Sequence, residues 1–201
     1  MIYDKVFKIP VKEHGVLDRF CLTHLTHPVI DYAKKMNYTP NHLTTCSFFF
    51  QGLGVAFLAY DYRWNYTLFY LIGYYFDNVD GPMARKYDMV TEFGDWYDHV
   101  TDITCFGAAN YLFVNEYNLL NNTLLCMLYL MQLCGMFMYT GCQEQIYHKY
   151  LKSVIGKEEE VSRTLYLTTQ VISDPERQIH YLKPFCITNT VILISLLPHL
   201  V

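Results

Sequence analysis

The chain has 201 residues, of which 52% are apolar and 17% are charged. Soluble domains carry about 25% charged residues, so this composition indicates a membrane protein. The net charge of −4 excludes the basic surface of a nucleic-acid-binding protein. Residues 1–15 lack the apolar centre of a secretory signal peptide, so we do not expect a soluble secreted protein. The seven cysteines form no CxxC pair and are interpreted as buried free thiols.

Two segments precede the first long apolar stretch. Residues 1–15 are a polar arm, and residues 16–36 mix apolar and charged side chains in an amphipathic pattern. We predict that the second segment forms a helix along the membrane surface, interrupted near Pro28. A helix packed on a neighbouring element is the alternative. Asn41, which follows a Thr-Pro pair, is the predicted N-cap of the next helix.

Five apolar stretches are predicted to cross the bilayer, and the first has a length close to the roughly 20 residues that a span needs. They cover residues 43–60, 66–80, 94–114, 119–139 and 181–201. We therefore predict an all-α, polytopic membrane helix bundle with five transmembrane helices after the interfacial helix. The connection over residues 141–180 is polar, and a sixth span would require the weakly apolar residues 162–173 to enter the membrane.

Glycines and a proline in the first two spans carry further predictions. Gly52 and Gly54 should allow a neighbouring helix to approach the first span closely. Gly81 and Pro82 should end or bend the second span at the membrane edge.

Lysine and arginine are concentrated before the first span, after the second span and within residues 141–180. Because cytoplasmic segments of membrane proteins are rich in these residues, we predict that all three segments face the cytoplasm.

We also predict that the chain is a single domain over residues 1–201. Residues 1–40 form a cytoplasmic arm and interfacial helix, and residues 41–201 form the bundle. In a eukaryotic cell we expect the endoplasmic reticulum or another internal membrane.

Four aspartates lie at or near the ends of the second and third predicted spans. Asp77 and Asp80 are spaced i, i+3, and Asp98 and Asp102 are spaced i, i+4, so each pair lies on one helix face. Carboxylates within apolar helices are costly and usually mark a function. Clustered carboxylate oxygens suit a hard divalent cation such as Mg²⁺ or Mn²⁺. A cation channel or transporter would also place acidic groups in a membrane.

The same stretch resembles the signature of the CDP-alcohol phosphatidyltransferase family. The fixed positions of that signature, at matching spacing, are Asp77, Asp80, Gly81, Ala84, Arg85, Gly94, Asp98 and Asp102. The similarity extends upstream to Thr39-Pro40-Asn41-x-x-Thr44. It implies an integral membrane transferase of phospholipid biosynthesis, which transfers a substituted phosphate group from a CDP-alcohol to an acceptor hydroxyl and releases CMP. We also expect a homodimer.

The resemblance assigns roles to the acidic residues. Asp77, Asp80 and Asp98 are implied to be ligands of two Mg²⁺ or Mn²⁺ ions, which can polarise a phosphate and stabilise the leaving oxygen. Asp102, at the end of the set, is implied to be the general base that takes the proton of the acceptor hydroxyl and a further ligand.

The resemblance also implies a nucleotide and phosphate site, formed by Asn41, Thr44, Gly81, Ala84 and Arg85. For Asn41 and Thr44, helix capping alone is the alternative, and Arg85 is alternatively a basic anchor at the cytoplasmic interface. Gly94 is expected to allow the second and third spans to approach closely.

His99 directly follows Asp98, as in eukaryotic choline and ethanolamine phosphotransferases, and has two interpretations. It either helps to deprotonate the acceptor or is a packed or interfacial histidine. Ile103 follows Asp102, where relatives that use phosphorylated acceptors have Lys or Arg, so we expect an unphosphorylated acceptor hydroxyl.

CDP-choline or CDP-ethanolamine with diacylglycerol is the preferred pair of substrates. Use of CDP-diacylglycerol by a phosphatidylserine or phosphatidylinositol synthase is the alternative, and Phe106-Gly107 resembles the serine enzymes. A catalytically inactive membrane interaction protein with the same fold is the third hypothesis.

Overall fold

The computed structural model describes residues 6–7, 13–154 and 171–200. All regular elements within these ranges are helical, which confirms the predicted all-α class. The helices are α1 (Val16–Phe20), α2 (His27–Lys35), α3 (Pro40–Ala59), α4 (Arg63–Lys86), α5 (Glu92–Asn115), α6 (Thr123–Val154), α7 (Pro175–Leu182) and α8 (Ile187–Leu196).

The chain divides into two compact units. One comprises Cys21–Met127 and Val191–Val201, and the other comprises Met1–Phe20 and Leu128–Thr190. The first unit contains helices α2 to α5, and hence every residue of the acidic signature. The single domain predicted over residues 1–201 stays a prediction.

Helical structure in the amphipathic segment extends from Val16 to Lys35, as predicted. A wider π-helical turn over Cys21–Thr26 separates α1 from α2. Pro28 follows in the first turn of α2, where it has no N–H to donate to the carbonyl groups of the preceding π-helical turn. The interruption predicted near Pro28 is therefore present as a change of helical pitch just before this proline.

Helix α3 begins at Pro40, one residue before Asn41, which was predicted to be its N-cap. Thr39 is the N-cap, with an extended backbone at φ −109° and ψ 163°. Its N–H donates a hydrogen bond to His42 Nδ1 at 3.1 Å. Asn41 lies inside the first turn, so its prediction as the N-cap is wrong. The physical reason is Pro40, which fixes a helical φ at the first helical position and disfavours helical backbone in the residue before it.

Glycines bring α3 and α4 close together. A Cβ atom added at Gly73 would lie 2.7 Å from the Gln51 nitrogen and 2.9 Å from the Ser47 carbonyl oxygen. A Cβ atom at Gly54 would lie 3.0 Å from the Tyr70 nitrogen. The prediction for Gly54 is therefore correct. Gly52 does not pack this way, because an added Cβ atom would meet no described atom within 4 Å.

Three stretches of the described chain are long and apolar enough to cross a membrane. They are Pro40–Ala59, Thr123–Lys149 and Pro175–His199. Helices α4 and α5 have 24 residues each, which is the length of a span, but they also carry the charged residues of the signature. The three apolar stretches support a membrane protein, and the all-helical structure is consistent with the predicted bundle. The number of five crossings stays a prediction.

Several helices extend beyond the predicted spans. Helix α4 continues through Gly81 and Pro82 to Lys86. Pro82 and Met83 are buried, so tertiary packing holds a helix in which one backbone hydrogen bond is lost. Helix α6 extends to Val154, into the segment predicted to be a polar connection. The last span begins at Pro175 and is interrupted by the 3₁₀ turn Lys183–Phe185.

The proposed sixth span over residues 162–173 lies largely outside the described residues. The seven cysteines, all of them described, are free thiols. Only Cys105, Cys142 and Cys186 are buried, so the prediction of burial is correct for these three.

We predict that Gly73→Ala lowers the free energy of unfolding by about 1–3 kcal/mol, because the new methyl group must displace the backbone of α3. Gly52→Ala is the matched control, and its methyl group should add a small gain in helix propensity without a clash. Detergent-induced unfolding of the two purified variants measures the difference. Equal stability of the two variants would contradict the close contact at Gly73.

Candidate metal and catalytic site

Helices α4 and α5 bring three of the four signature aspartates together. One carboxylate oxygen each from Asp77, Asp98 and Asp102 lies within 4.8 Å of the other two. The three side chains are partly buried. Ligand oxygens on opposite sides of an octahedral Mg²⁺ ion are about 4.2 Å apart. The spacing of these carboxylates is therefore close to that required by a single ion.

Asp80 lies next to this group but is held separately. Its side chain is buried, and Oδ2 accepts a hydrogen bond of 2.6 Å from the Thr44 hydroxyl. Its charge nevertheless interacts with those of Asp77 and Asp98. The four aspartates therefore form one electrostatic cluster, with three of them placed around a common point.

The donor set fits a divalent cation. Asp77 Oδ1 is buried, and among the described residues it accepts no hydrogen bond. A buried carboxylate oxygen without a partner is unfavourable in a protein interior. The neighbouring carboxylates add repulsion between like charges. A hard cation bound to these oxygens would remove both costs, and carboxylate oxygens are its preferred ligands.

Arg85 extends its guanidinium group back along α4 toward Gly81. A Cβ atom added at Gly81 would lie 3.2 Å from Arg85 Nη1, so the guanidinium group extends back over the preceding turn of α4. The absence of a side chain at Gly81 makes room for this guanidinium group. Ala84 is partly buried on the same helix.

The residues predicted from the upstream motif have different surroundings. Thr44 is buried with its hydroxyl group on Asp80. Asn41 is partly buried, and its Oδ1 would lie 3.0 Å from a Cβ atom added at Gly94. The close contact at Gly94 is therefore between α3 and α5, rather than between α4 and α5 as predicted.

His99 lies outside the group of three carboxylates. Its side chain is 65% exposed, and Nδ1 lies 2.7 Å from the Asp95 carbonyl oxygen. A carbonyl oxygen only accepts hydrogen bonds, so Nδ1 carries the proton in this contact. In the neutral ring, Nε2 then has the free lone pair. This tautomer suits a proton acceptor.

A cluster that the sequence did not predict attaches α2 to the connection between α4 and α5. Asp31 Oδ1 accepts hydrogen bonds from Lys86 Nζ and, at 2.8 Å, from the Tyr87 hydroxyl. Lys34 Nζ lies 5.2 Å from the centre of the Tyr87 ring. The hydrogen bond from Lys86, followed by that from Tyr87, lowers the pKa of Asp31 below its ordinary value of 3.8. No sequence signal links residues so far apart in the chain.

Comparison with known proteins identifies the family. The family model described as CDP-alcohol phosphatidyltransferase matches residues 37–197, which is most of the chain. The chain belongs to the CDP-alcohol phosphatidyltransferase family. This match confirms the resemblance inferred from the sequence, and the matched region includes all eight fixed positions of the signature.

Two curated relatives are similar over shorter regions. An uncharacterized protein of Aquifex aeolicus is 35% identical over 78 residues, which are 39% of this chain and 40% of that protein. A CDP-diacylglycerol–serine O-phosphatidyltransferase of Bacillus subtilis is 34% identical over 74 residues, which are 37% of this chain and 42% of that protein. The chain thus spans about two fifths of the length of these relatives.

We predict that Asp31→Asn loosens the connection over residues 87–91, because the amide does not provide the charge that Lys86 and Tyr87 bind. Hydrogen–deuterium exchange of these residues should be faster than in the unmodified protein. The lowered pKa of Asp31 means that its charge stabilises the attachment fully above pH 3.8, the ordinary value. This stabilisation is lost as the pH falls through the still lower pKa of the folded state.

Lys35→Gln is the control, since Lys35 is an exposed charged residue on the same helix. Exchange that increases equally in both variants would show that the cluster around Asp31 does not hold the connection.

Proposed function

We propose that the protein transfers a substituted phosphate group from a CDP-alcohol to an acceptor hydroxyl, with release of CMP and with a requirement for Mg²⁺ or Mn²⁺. The observation that carries this proposal is the convergence of Asp77, Asp98 and Asp102 around one point. Membership of the CDP-alcohol phosphatidyltransferase family supports the reaction class. The intact set of four aspartates favours an active enzyme over an inactive interaction protein.

The reaction forms one bond and breaks one bond at phosphorus. The acceptor oxygen attacks the phosphorus that carries the alcohol of the donor, and the bond to the bridging oxygen of the diphosphate breaks. CMP leaves with that bridging oxygen and its electron pair. Asp102 accepts the proton of the acceptor hydroxyl. This residue lies one helical turn after Asp98, on the face of α5 that Asp77 approaches.

The charge that develops on the phosphates is the main obstacle to this reaction. Asp77, Asp98 and Asp102, with Asp80 beside them, are the residues that would hold divalent cations. Such cations polarise the diphosphate and stabilise the leaving oxygen. Arg85 offers the planar group that binds phosphate oxygens in pairs. Arg85 lies on the same helix as Asp77 and Asp80, with its guanidinium group beside Gly81.

We assign CDP-diacylglycerol as the donor and an unphosphorylated hydroxyl compound such as serine as the acceptor. The relative from Bacillus subtilis, a CDP-diacylglycerol–serine O-phosphatidyltransferase, supports this pair. The sequence of α5 after Asp102 contains no Lys or Arg, so this helix offers no cation for a phosphorylated acceptor. This assignment reverses the preference derived from His99.

The second candidate pair is CDP-choline or CDP-ethanolamine with diacylglycerol. One observation favours it: the contact with the Asp95 carbonyl leaves His99 Nε2 able to accept a proton. In that case His99 would assist Asp102 in removing the proton of the diacylglycerol hydroxyl.

Two further parts of the proposal concern the membrane and the assembly. The Lys and Arg distribution supports a site that opens to the cytoplasm, where cytidine nucleotides would reach it. If the site opens to the cytoplasm, a donor that cannot cross the bilayer should be used only when it is supplied on the cytoplasmic side of sealed vesicles. The homodimer stays a prediction.

We predict that Asp98→Asn lowers CMP release more than about 100-fold. Loss of groups that only support metal ligands typically costs 10–100-fold, and loss of a ligand should cost more. Glu92→Gln is the control, because Glu92 is exposed in the first turn of the same helix. CMP release is measured with Mg²⁺, with Mn²⁺ and with EDTA. Near-normal turnover of Asp98→Asn, or full turnover in EDTA, would contradict the metal site.

We predict that a panel of two donors and four acceptors identifies CDP-diacylglycerol and serine as the productive pair. The donors are CDP-diacylglycerol and CDP-choline, and the acceptors are serine, inositol, glycerol-3-phosphate and diacylglycerol. The lipid product is identified by mass spectrometry. Turnover of CDP-choline with diacylglycerol, reduced by His99→Ala, would favour the second candidate instead. Efficient use of glycerol-3-phosphate would contradict both candidates.

A further inference from the structure

A side chain from another helix holds the carboxylate of Asp80. We infer that Thr44 is a positioning residue, whose hydroxyl group fixes the Asp80 carboxylate beside Asp77, Asp98 and Asp102, and that it is not a nucleotide ligand. This inference rests on the proposed metal-dependent reaction. It replaces the nucleotide-binding role that the resemblance implied for Thr44.

The hydrogen bond itself is short and shielded from solvent. Thr44 is 2% exposed and Asp80 is 6% exposed, and the oxygen atoms are 2.6 Å apart. The Thr44 hydroxyl also lies 3.3 Å from the Pro40 carbonyl oxygen. A hydroxyl group has one proton to donate. The shorter contact to a charged acceptor is the stronger of the two, so the proton is directed to Asp80.

The contact depends on the close packing of α3 against α4. Along α3 the residue number falls from Gln51 to Thr44, while along α4 it rises from the contact at Gly73 to Asp80. The two helices therefore run antiparallel along this face. Ser47 lies between these two contacts, and its backbone oxygen meets Gly73. The approach at Gly73 thus places Thr44 opposite Asp80, about two helical turns further along each helix.

The burial of Thr44 argues against direct contact with a substrate. Its single proton is already donated to Asp80, so it has no donor left for a phosphate or a cytosine ring. Thr45, the next residue of α3, is exposed and has partners other than the aspartates. Its hydroxyl donates to the Asn41 carbonyl at 2.7 Å and lies 3.1 Å from the Tyr97 hydroxyl.

Removal of the Thr44 hydroxyl would take away the hydrogen bond that holds Asp80 Oδ2. A buried carboxylate that loses this hydrogen bond is no longer held in its original rotamer. A carboxylate that turns away from Asp77 and Asp98 adds less to the attraction of the cluster for a cation.

The experiment compares Mn²⁺ binding by four forms of the full-length protein in detergent, without substrate. They are the unmodified chain, Thr44→Val, Thr44→Ser and Thr45→Val. Valine keeps the shape of threonine and removes the hydroxyl, whereas serine keeps the hydroxyl. Electron paramagnetic resonance of free Mn²⁺ gives each dissociation constant. We expect Thr44→Val to weaken binding about 10–100-fold, as for other residues that orient metal ligands. Thr44→Ser and Thr45→Val should stay close to the unmodified protein.

A double-mutant cycle with Asp80→Asn tests whether Thr44 acts through Asp80. If it does, Thr44→Val should weaken Mn²⁺ binding no further when Asp80 is already replaced. Steady-state kinetics at saturating Mn²⁺ provide a second measurement. We expect Thr44→Val to lower kcat, with the KM for the CDP-alcohol nearly unchanged.

Three outcomes would overturn the inference. In the first, Thr44→Val raises the KM for the donor and leaves Mn²⁺ affinity unchanged, as expected of a nucleotide ligand. In the second, Thr44→Ser weakens Mn²⁺ binding as much as Thr44→Val, so the hydroxyl is not the cause. In the third, the effects of Thr44→Val and Asp80→Asn are additive. Failure of the unmodified protein to bind Mn²⁺ would instead overturn the proposed metal dependence, and with it this inference.

Discussion

Repulsion among four buried or partly buried carboxylates is the constraint on which the rest of this structure depends. Groups of like charge in a helix bundle are unfavourable, because each loses its hydration and each repels its neighbours. The chain provides partial compensation through the Thr44 hydroxyl, which donates a hydrogen bond to Asp80. The remaining negative charge around Asp77 supports the proposed affinity of the site for a divalent cation.

The compensation requires helices that approach within backbone contact. Apolar side chains gain little from leaving lipid for another apolar surface, so small residues and polar contacts drive helix association in membranes. Gly54 and Gly73 provide such contacts at two levels of the α3–α4 pair. Toward the start of α3, the Thr44 hydroxyl donates a hydrogen bond to Asp80, and Asn41 lies against Gly94 of α5. Packing at glycines one helical turn or more from the acidic residues therefore determines whether the side chains at the site can meet.

Sequence periodicity predicted the helices and the acidic cluster, because the spacing of residues within a helix follows directly from its pitch. Contacts between helices were not predictable in this way. The partners Thr44 and Asp80 are 36 positions apart, and nothing local links them. Gly52 and Gly54 lie about 200° apart around a helix, and the sequence did not show which one faces α4. Gly81 and Pro82 were predicted to end or bend a helix that tertiary packing continues to Lys86.

The short connection between α4 and α5 explains the fixed interval in the family signature. The eight positions between Arg85 and Gly94 consist of the last residue of α4, the five residues 87–91 and the first two residues of α5. Asp88 turns the chain with a left-handed backbone, at φ 53°. An extra residue absorbed into α5 would rotate its carboxylates by about 100° away from Asp77. The length of this connection therefore sets the position of the α5 carboxylates relative to Asp77. A requirement on the chemistry of the carboxylates is thus also a requirement on the length of the turn that precedes them.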